Sequence, residues 1–216
     1  MTKKVAILAL FITLYLVVKH LVPYGPLLLY PLILLVTFLH ELGHAAFALV
    51  TGGDVRGILI HPNGGGHALI SGGWTALVAM GGYVGSAVFG NLLLYIGLAK
   101  EKWAKWVPFL LAPLFAFTAV WWFQSIFTSI VLFIFAVTFI WLGRKHPKKM
   151  SAILLFVGST SVVYIIEDIG TGPQSDLAVF TTLLPVLPKV IWAAVWLLIV
   201  LGITAVTVKQ AFSNSQ

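Results

Sequence analysis

Five consecutive residues carry the densest chemistry in the chain, His40-Glu41-Leu42-Gly43-His44. On a helix, positions i and i+4 lie about 40° apart in azimuth and about 6 Å apart in rise. Both imidazoles can therefore reach one Zn²⁺ at about 2 Å. Glu41 stands beside them, placed to hold the water that such a metal activates. The chemistry on offer is metal-assisted hydrolysis. Glu41 is also the only Asp, Glu, Lys or Arg between Lys19 and Asp54. An ionisable group in so apolar a stretch costs several kcal/mol and marks a functional site by default. The plain alternative is a polar trio bonding helices together, but two histidines and a glutamate are more polarity than helix association needs.

The elements that must hold these residues are membrane helices. The 216 residues are 60% hydrophobic and only 9% charged, with a mean hydropathy of +1.05. Soluble domains carry about 25% charged residues, so a soluble globular enzyme and a disordered chain are both excluded. Apolar runs cover about 5–22, 26–50, 74–98, 106–122, 125–143, 151–166 and 186–208, each near the roughly 20 residues a spanning helix needs. They predict an all-α polytopic membrane protein with six to seven transmembrane helices. It reads as a single transmembrane domain, 1–216, with its core at about 26–208. The first run is read as a retained span, because Lys19-His20-Leu21-Val22-Pro23 offers no small-residue cleavage site. Between the second and third runs, residues 55–61 and 67–71 are β-rich, and Pro62-Asn63-Gly64-Gly65-Gly66 is turn chemistry. A short β-hairpin is expected there.

Strict alternation of seven spans puts Lys19, Lys100, Lys102, Lys105, Arg144, Lys145, Lys148, Lys149 and Lys209 on one side, and Lys3, Lys4, Arg56 and Lys189 on the other. The first side is cytoplasmic by the positive-inside rule. The net charge of +7 is thus a topology signal facing anionic lipid, not a nucleic-acid surface. Cysteine is absent, which removes disulfides, thiolate ligands and cysteine nucleophiles.

A catalytic zinc takes three protein ligands and keeps a fourth position open. The remaining acids are Asp54, Glu101, Glu167, Asp168 and Asp176. The second and sixth spans run in the same direction under alternation, so Glu167, Asp168 and Asp176 fall on the side of His44. Asp54 does too, but at the mouth of the hairpin, ten residues on. Glu101 falls on the opposite side. The residues alone leave Asp176, Asp168 and Glu167 open as the third ligand.

The early His-Glu-Leu-Gly-His-Ala, the glycine-rich hairpin and a late Asp together resemble the site-2 protease family of intramembrane zinc metalloproteases. The similarity extends to its compact branch, the M-fifty-B-like peptidases, through Gly81-Gly82-Tyr83-Val84-Gly85-Ser86-Ala87-Val88-Phe89-Gly90 and through Ser175-Asp176-Leu177-Ala178-Val179-Phe180. It covers roughly residues 30–205. The resemblance implies a zinc metalloendopeptidase that cuts peptide bonds in or near transmembrane segments of membrane-protein substrates. It implies one Zn²⁺ per chain held by His40, His44 and Asp176, with Glu41 as general base. It also implies an integral, multi-pass protein of the cell membrane.

Three further residues are candidates for binding substrate. Ser86 or Asn91 could donate to the tetrahedral intermediate, and His67 could reach the site from the hairpin and stabilise an oxyanion. The glycines of the third span serve either close helix packing or a groove where substrate backbone nears the metal. His61 reads as a turn residue, and His20 and His146 as interfacial. Two other functions stay open. One is a non-proteolytic metal-binding membrane protein. The other is a transporter using His40, Glu41, His44 and Asp176 as an ion path, although the paired repeats common in transporters are not evident. A metalloprotease that trims prenylated peptides would shift the third ligand to Glu167.

Overall fold

A computed structural model describes residues 2–170, 172–173 and 175–213. The chain folds as α1 (Thr2–Leu21), α2 (Gly25–Leu28), α3 (Tyr30–Val50), β1 (Asp54–Ile60), β2 (Gly66–Ser71), α4 (Thr75–Ala99), α5 (Glu101–Ala104), α6 (Val107–Trp121), α7 (Ile126–Lys145), a 3₁₀ turn (Pro147–Lys149), α8 (Met150–Glu167), α9 (Asp176–Leu183) and α10 (Lys189–Ser213). Among the described residues, seven helical stretches are long and apolar enough to cross a membrane, α5 and α6 together making one of them. The protein is a multi-pass integral membrane protein, as its hydropathy predicts.

Three helices form the interior. α4 lies between α3 and α8, and all three bury most of their membrane window. Small residues bring them together. A Cβ on Gly97 would sit 2.8 Å from the Ser151 carbonyl, and one on Gly158 would sit 2.7 Å from the Gly90 carbonyl. α4 and α8 therefore touch backbone to backbone, where dispersion and hydrogen bonding must supply the attraction that the hydrophobic effect cannot supply in lipid. Ser151 adds a hydrogen bond to the Gly97 carbonyl at 2.7 Å. α6 and α7 make a second layer whose Phe115 packs against Phe38, Phe135 and Phe139.

The hairpin is present and antiparallel, with Ile60 opposite Gly66 and Asp54 opposite Ser71. An irregularity in the register lies between Val55 and Gly57. The tip is tied down by Thr37, which donates to the Gly64 carbonyl at 2.6 Å, and by Tyr30, which donates to the Pro62 carbonyl at 2.6 Å. β1 is also covered on its outer edge. Ile60 N–H donates to Thr128 Oγ1 at 2.9 Å, Thr128 returns a bond to the Ile60 carbonyl at 3.2 Å, and Gln124 donates to the Arg56 carbonyl at 2.9 Å. β2 has no hydrogen-bond partner beyond β1 among the described residues.

The direction of α1 corrects the sequence expectation. α1 runs alongside α8 in the same sense. Phe11 meets Phe156 edge-on, and Lys19 pairs with Glu167 at 2.8 Å. At its other end Lys4 donates to the Leu98 carbonyl at 2.6 Å and pairs with Glu101 at 3.1 Å. Lys4 thus lies with Lys100 and Lys102, and Lys19 lies at the opposite end, the reverse of strict alternation. The cause is that α2 folds back on α1, with Gly25 against the Val18 carbonyl. Residues 22–29 thus turn back along α1 before α3 begins, and α1 and α3 run in the same sense.

Candidate active site

α3 positions the motif. His44 is fixed by its far nitrogen: Nδ1–H donates to the Val78 carbonyl of α4 at 2.7 Å. That bond assigns the tautomer and leaves Nε2 free to act as a ligand. His40 Nε2 lies 3.1 Å from His44 Nε2. The third group arrives from α9. Ser175 caps that helix, its hydroxyl accepting from the Ala178 N–H at 3.2 Å, so the following Asp176 is set rigidly at the first helical position. Asp176 Oδ2 lies 2.9 Å from His40 Nε2 and 3.3 Å from His44 Nε2.

Burial by itself pushes the Asp176 carboxyl up, but the hydrogen bonds from His40 and His44 outweigh it and hold the group below the usual carboxylate range. Asp168 lies in the same cavity without such partners, and burial pushes its carboxyl up.

These three ligand atoms form a triangle with edges of 2.9, 3.1 and 3.3 Å. A tetrahedral Zn²⁺ with ligands at about 2.0–2.1 Å needs edges of about 3.3 Å. The donor set of two imidazoles and a carboxylate suits zinc, so the residues fit the ion. Gly82 provides the space beside it. A Cβ at Gly82 would run into both histidine Nε2 atoms. By contrast, Gly81 and Gly85 pack against Gly43 of α3. The glycine stretch of α4 therefore does both jobs weighed from the sequence, on two faces.

The site opens into a cavity of about 840 Å³ bounded by α3, the hairpin, α4, α8 and α9. Glu41 is buried and lines it, next to Gly66 at the start of β2. A Cβ at Gly66 would fall 2.6 Å from Glu41 Oε1 and 2.7 Å from Thr37 Cγ2. Only glycine lets the strand pass over the carboxylate this closely.

A family model described as Peptidase M50B-like matches residues 6–207. The chain belongs to this peptidase family. A search of the curated proteins finds no match at the level required, and a search of the solved structures finds none.

Within this M50B-like frame the other candidates fall into two groups. His67 lines the cavity from β2. Ser86 and Asn91 are buried on α4 but do not line it. The Ser86 hydroxyl donates to the Gly82 carbonyl at 2.7 Å, and the Asn91 amide donates to the Ala87 carbonyl at 2.9 Å and to Thr204 Oγ1 of α10 at 3.0 Å. The Ser86 hydroxyl and the Asn91 amide N–H groups are thus spent on helix carbonyls and helix packing, while Asn91 Oδ1 is buried with no hydrogen-bond partner among the described residues.

Glu167 is not with the histidines. Tyr15, Lys19 and His20 of α1 converge on its carboxylate at 3.2, 2.8 and 2.8 Å. Tyr83 is the residue that the motif reading passed over. Its ring lies edge-on to His40 at 5.1 Å. The signal was available: it is the only tyrosine between Tyr30 and Tyr95, well inside a span, where a hydroxyl needs a partner.

Proposed function

We propose that the chain is an intramembrane zinc metalloendopeptidase acting on membrane-protein segments. The observation that carries this is the triangle of His40 Nε2, His44 Nε2 and Asp176 Oδ2 beside the buried Glu41, in a cavity with an open strand edge. Zinc held by the three ligands supplies Lewis acidity to the attacking water and to the scissile carbonyl. Glu41 accepts the proton of that water as its oxygen adds to the carbonyl carbon. The C–N bond then breaks, and Glu41 passes the proton to the leaving amine. His67 faces the same space and is placed to stabilise the oxyanion.

Peptide bonds of an intact helix are already hydrogen-bonded, so a substrate must unwind to be cut. The free edge of β2 can hold an unwound segment by strand addition. The basic ends of α4, α7 and α8 face the cytoplasm in this reading, and the membrane is the cell membrane.

The test is zinc stoichiometry of the detergent-purified protein, with Asp176→Ala measured beside it. About one zinc per wild-type chain, sharply reduced in the variant, supports the three-ligand site. Zinc unchanged in the variant moves the third ligand to Asp168. A folded wild type without zinc overturns the protease reading and favours the ion path.

A further inference from the structure

The chain has to deliver Asp176 to two histidines on a different helix. Asp176 follows Asp168, the C-cap of α8, by eight positions. One side chain grips the start of that segment. The Tyr83 hydroxyl donates to the Asp168 carbonyl at 2.6 Å and accepts from the Gly170 N–H at 2.9 Å. Both partners are backbone groups of the same segment, two residues apart. The grip therefore fixes the register of the backbone and does not depend on which side chains it carries. The Tyr83 ring serves the other half of the site, with His40 edge-on at 5.1 Å. The same ring meets Trp196 of α10 at 5.3 Å, and Trp196 in turn meets Phe180 of α9 at 5.2 Å. Phe180 lies one turn after Asp176 on α9. Tyr83 thus touches one histidine directly and reaches the carboxylate by two routes. It is almost fully buried, so a slipped segment would strand its hydroxyl at the cost of an unmade hydrogen bond.

We propose that Tyr83 is a positioning residue, whose hydroxyl registers the segment carrying Asp176 while its ring holds the imidazole of His40. The inference rests on the metal-site reading above and deepens it. Groups that orient metal ligands are typically worth 10–100-fold in metal affinity. Tyr83→Phe keeps the ring and removes only the hydroxyl, so it separates the register from the packing.

The experiment compares wild type, Tyr83→Phe and Ser151→Ala. Ser151→Ala removes a hydrogen bond between α4 and α8 at the far end of the same helix pair, and controls for loosened packing. Zinc affinity is measured by competition with a chelator, and the Co²⁺-substituted proteins are compared by visible absorption. In Tyr83→Phe, zinc should bind at least about tenfold more weakly and the cobalt spectrum should change. Ser151→Ala should match wild type in both. A metal-independent arm follows amide hydrogen exchange at Gly170, which should be about tenfold faster in Tyr83→Phe without zinc.

Wild-type affinity, spectrum and exchange in Tyr83→Phe would overturn the inference. Equal losses in Ser151→Ala would also overturn it, as a packing effect. A folded wild type that takes no zinc sinks the protease reading instead, and exchange at Gly170 still decides whether the grip exists.

Discussion

His40 Nε2 and both ring nitrogens of His44 already have defined neighbours, which makes single substitutions informative. Glu41→Gln preserves the shape of the side chain and removes the proton acceptor. It should keep zinc and lower peptide hydrolysis by roughly 10²–10⁴-fold; a hydrolytically active variant would refute the assignment of Glu41. Gly82→Ala puts a methyl group where both histidine nitrogens converge. It should abolish zinc binding while leaving the chain folded, read as metal content against a thermal melt.

His40, Glu41 and His44 were legible from spacing alone, and Ser175-Asp176 from family likeness. The structure explains the second, since the serine caps the helix that the aspartate opens. Tyr83 was legible only as a lone tyrosine inside a span whose hydroxyl needs a partner; the partner itself, the Asp168 carbonyl just past α8, lies 85 residues away in sequence and was not. Ser86 does not line the cavity, for a local reason. It stands four residues after Gly82, on the same face, but a helical serine readily bonds the carbonyl one turn back.

Among the elements, the hairpin and the α4–α8 pair carry testable consequences. Along a strand, successive N–H groups point alternately to the partner strand and away from it. Proline placed in turn at His67, Ala68 and Leu69 therefore removes a donor from the outer edge at alternate positions. Cleavage of a membrane substrate should fall at those positions with zinc content unchanged. Undiminished cleavage at all three would exclude strand addition at β2. In the helix pair, Gly158→Ala forces a methyl group toward the Gly90 carbonyl and the Leu94 backbone. It should destabilise the protein by about 1–3 kcal/mol, as overpacking does, measured by thermal unfolding in detergent. The hairpin was readable because β-rich runs flank a proline–glycine turn. The amide and hydroxyl caps on its β1 edge were not, because they come from Gln124 in the α6–α7 connection and Thr128 in the first turn of α7, a stretch that reads only as a break between two spans.

For the whole molecule, the direction of α1 changes the topology. Hydropathy measures how apolar a segment is and not which way it runs, so the sequence offered only alternation as a guide. With α1 parallel to α8, Lys4 joins Lys100, Lys102 and Lys105 at one end, and the basic loop after α7 lies beside them, where Gly143 packs on Pro108. The chain has no cysteine, so single-cysteine labelling gives a clean reading. Lys4→Cys and Lys148→Cys should both be shielded from an impermeant maleimide added outside intact cells, and Asp54→Cys should react. Lys4→Cys reacting like Asp54→Cys would restore strict alternation.

The covered edge of β1 has one more consequence. A two-stranded sheet with both edges open could be extended from either side. Here Thr128 and Gln124 close one side, and only β2 remains. A segment added antiparallel to β2, the slightly more stable pairing, must run as β1 does, from the root beside Thr51 toward the tip beside Thr37. The seat is polar in the sense of a one-way street. Membrane proteins entering with the opposite N-to-C heading would meet the metal with their peptide groups reversed. If the proposed strand addition holds, selection by heading needs no preferred side chain at the cut, and would let a peptidase of this build trim many unrelated sequences while sparing those threaded the other way.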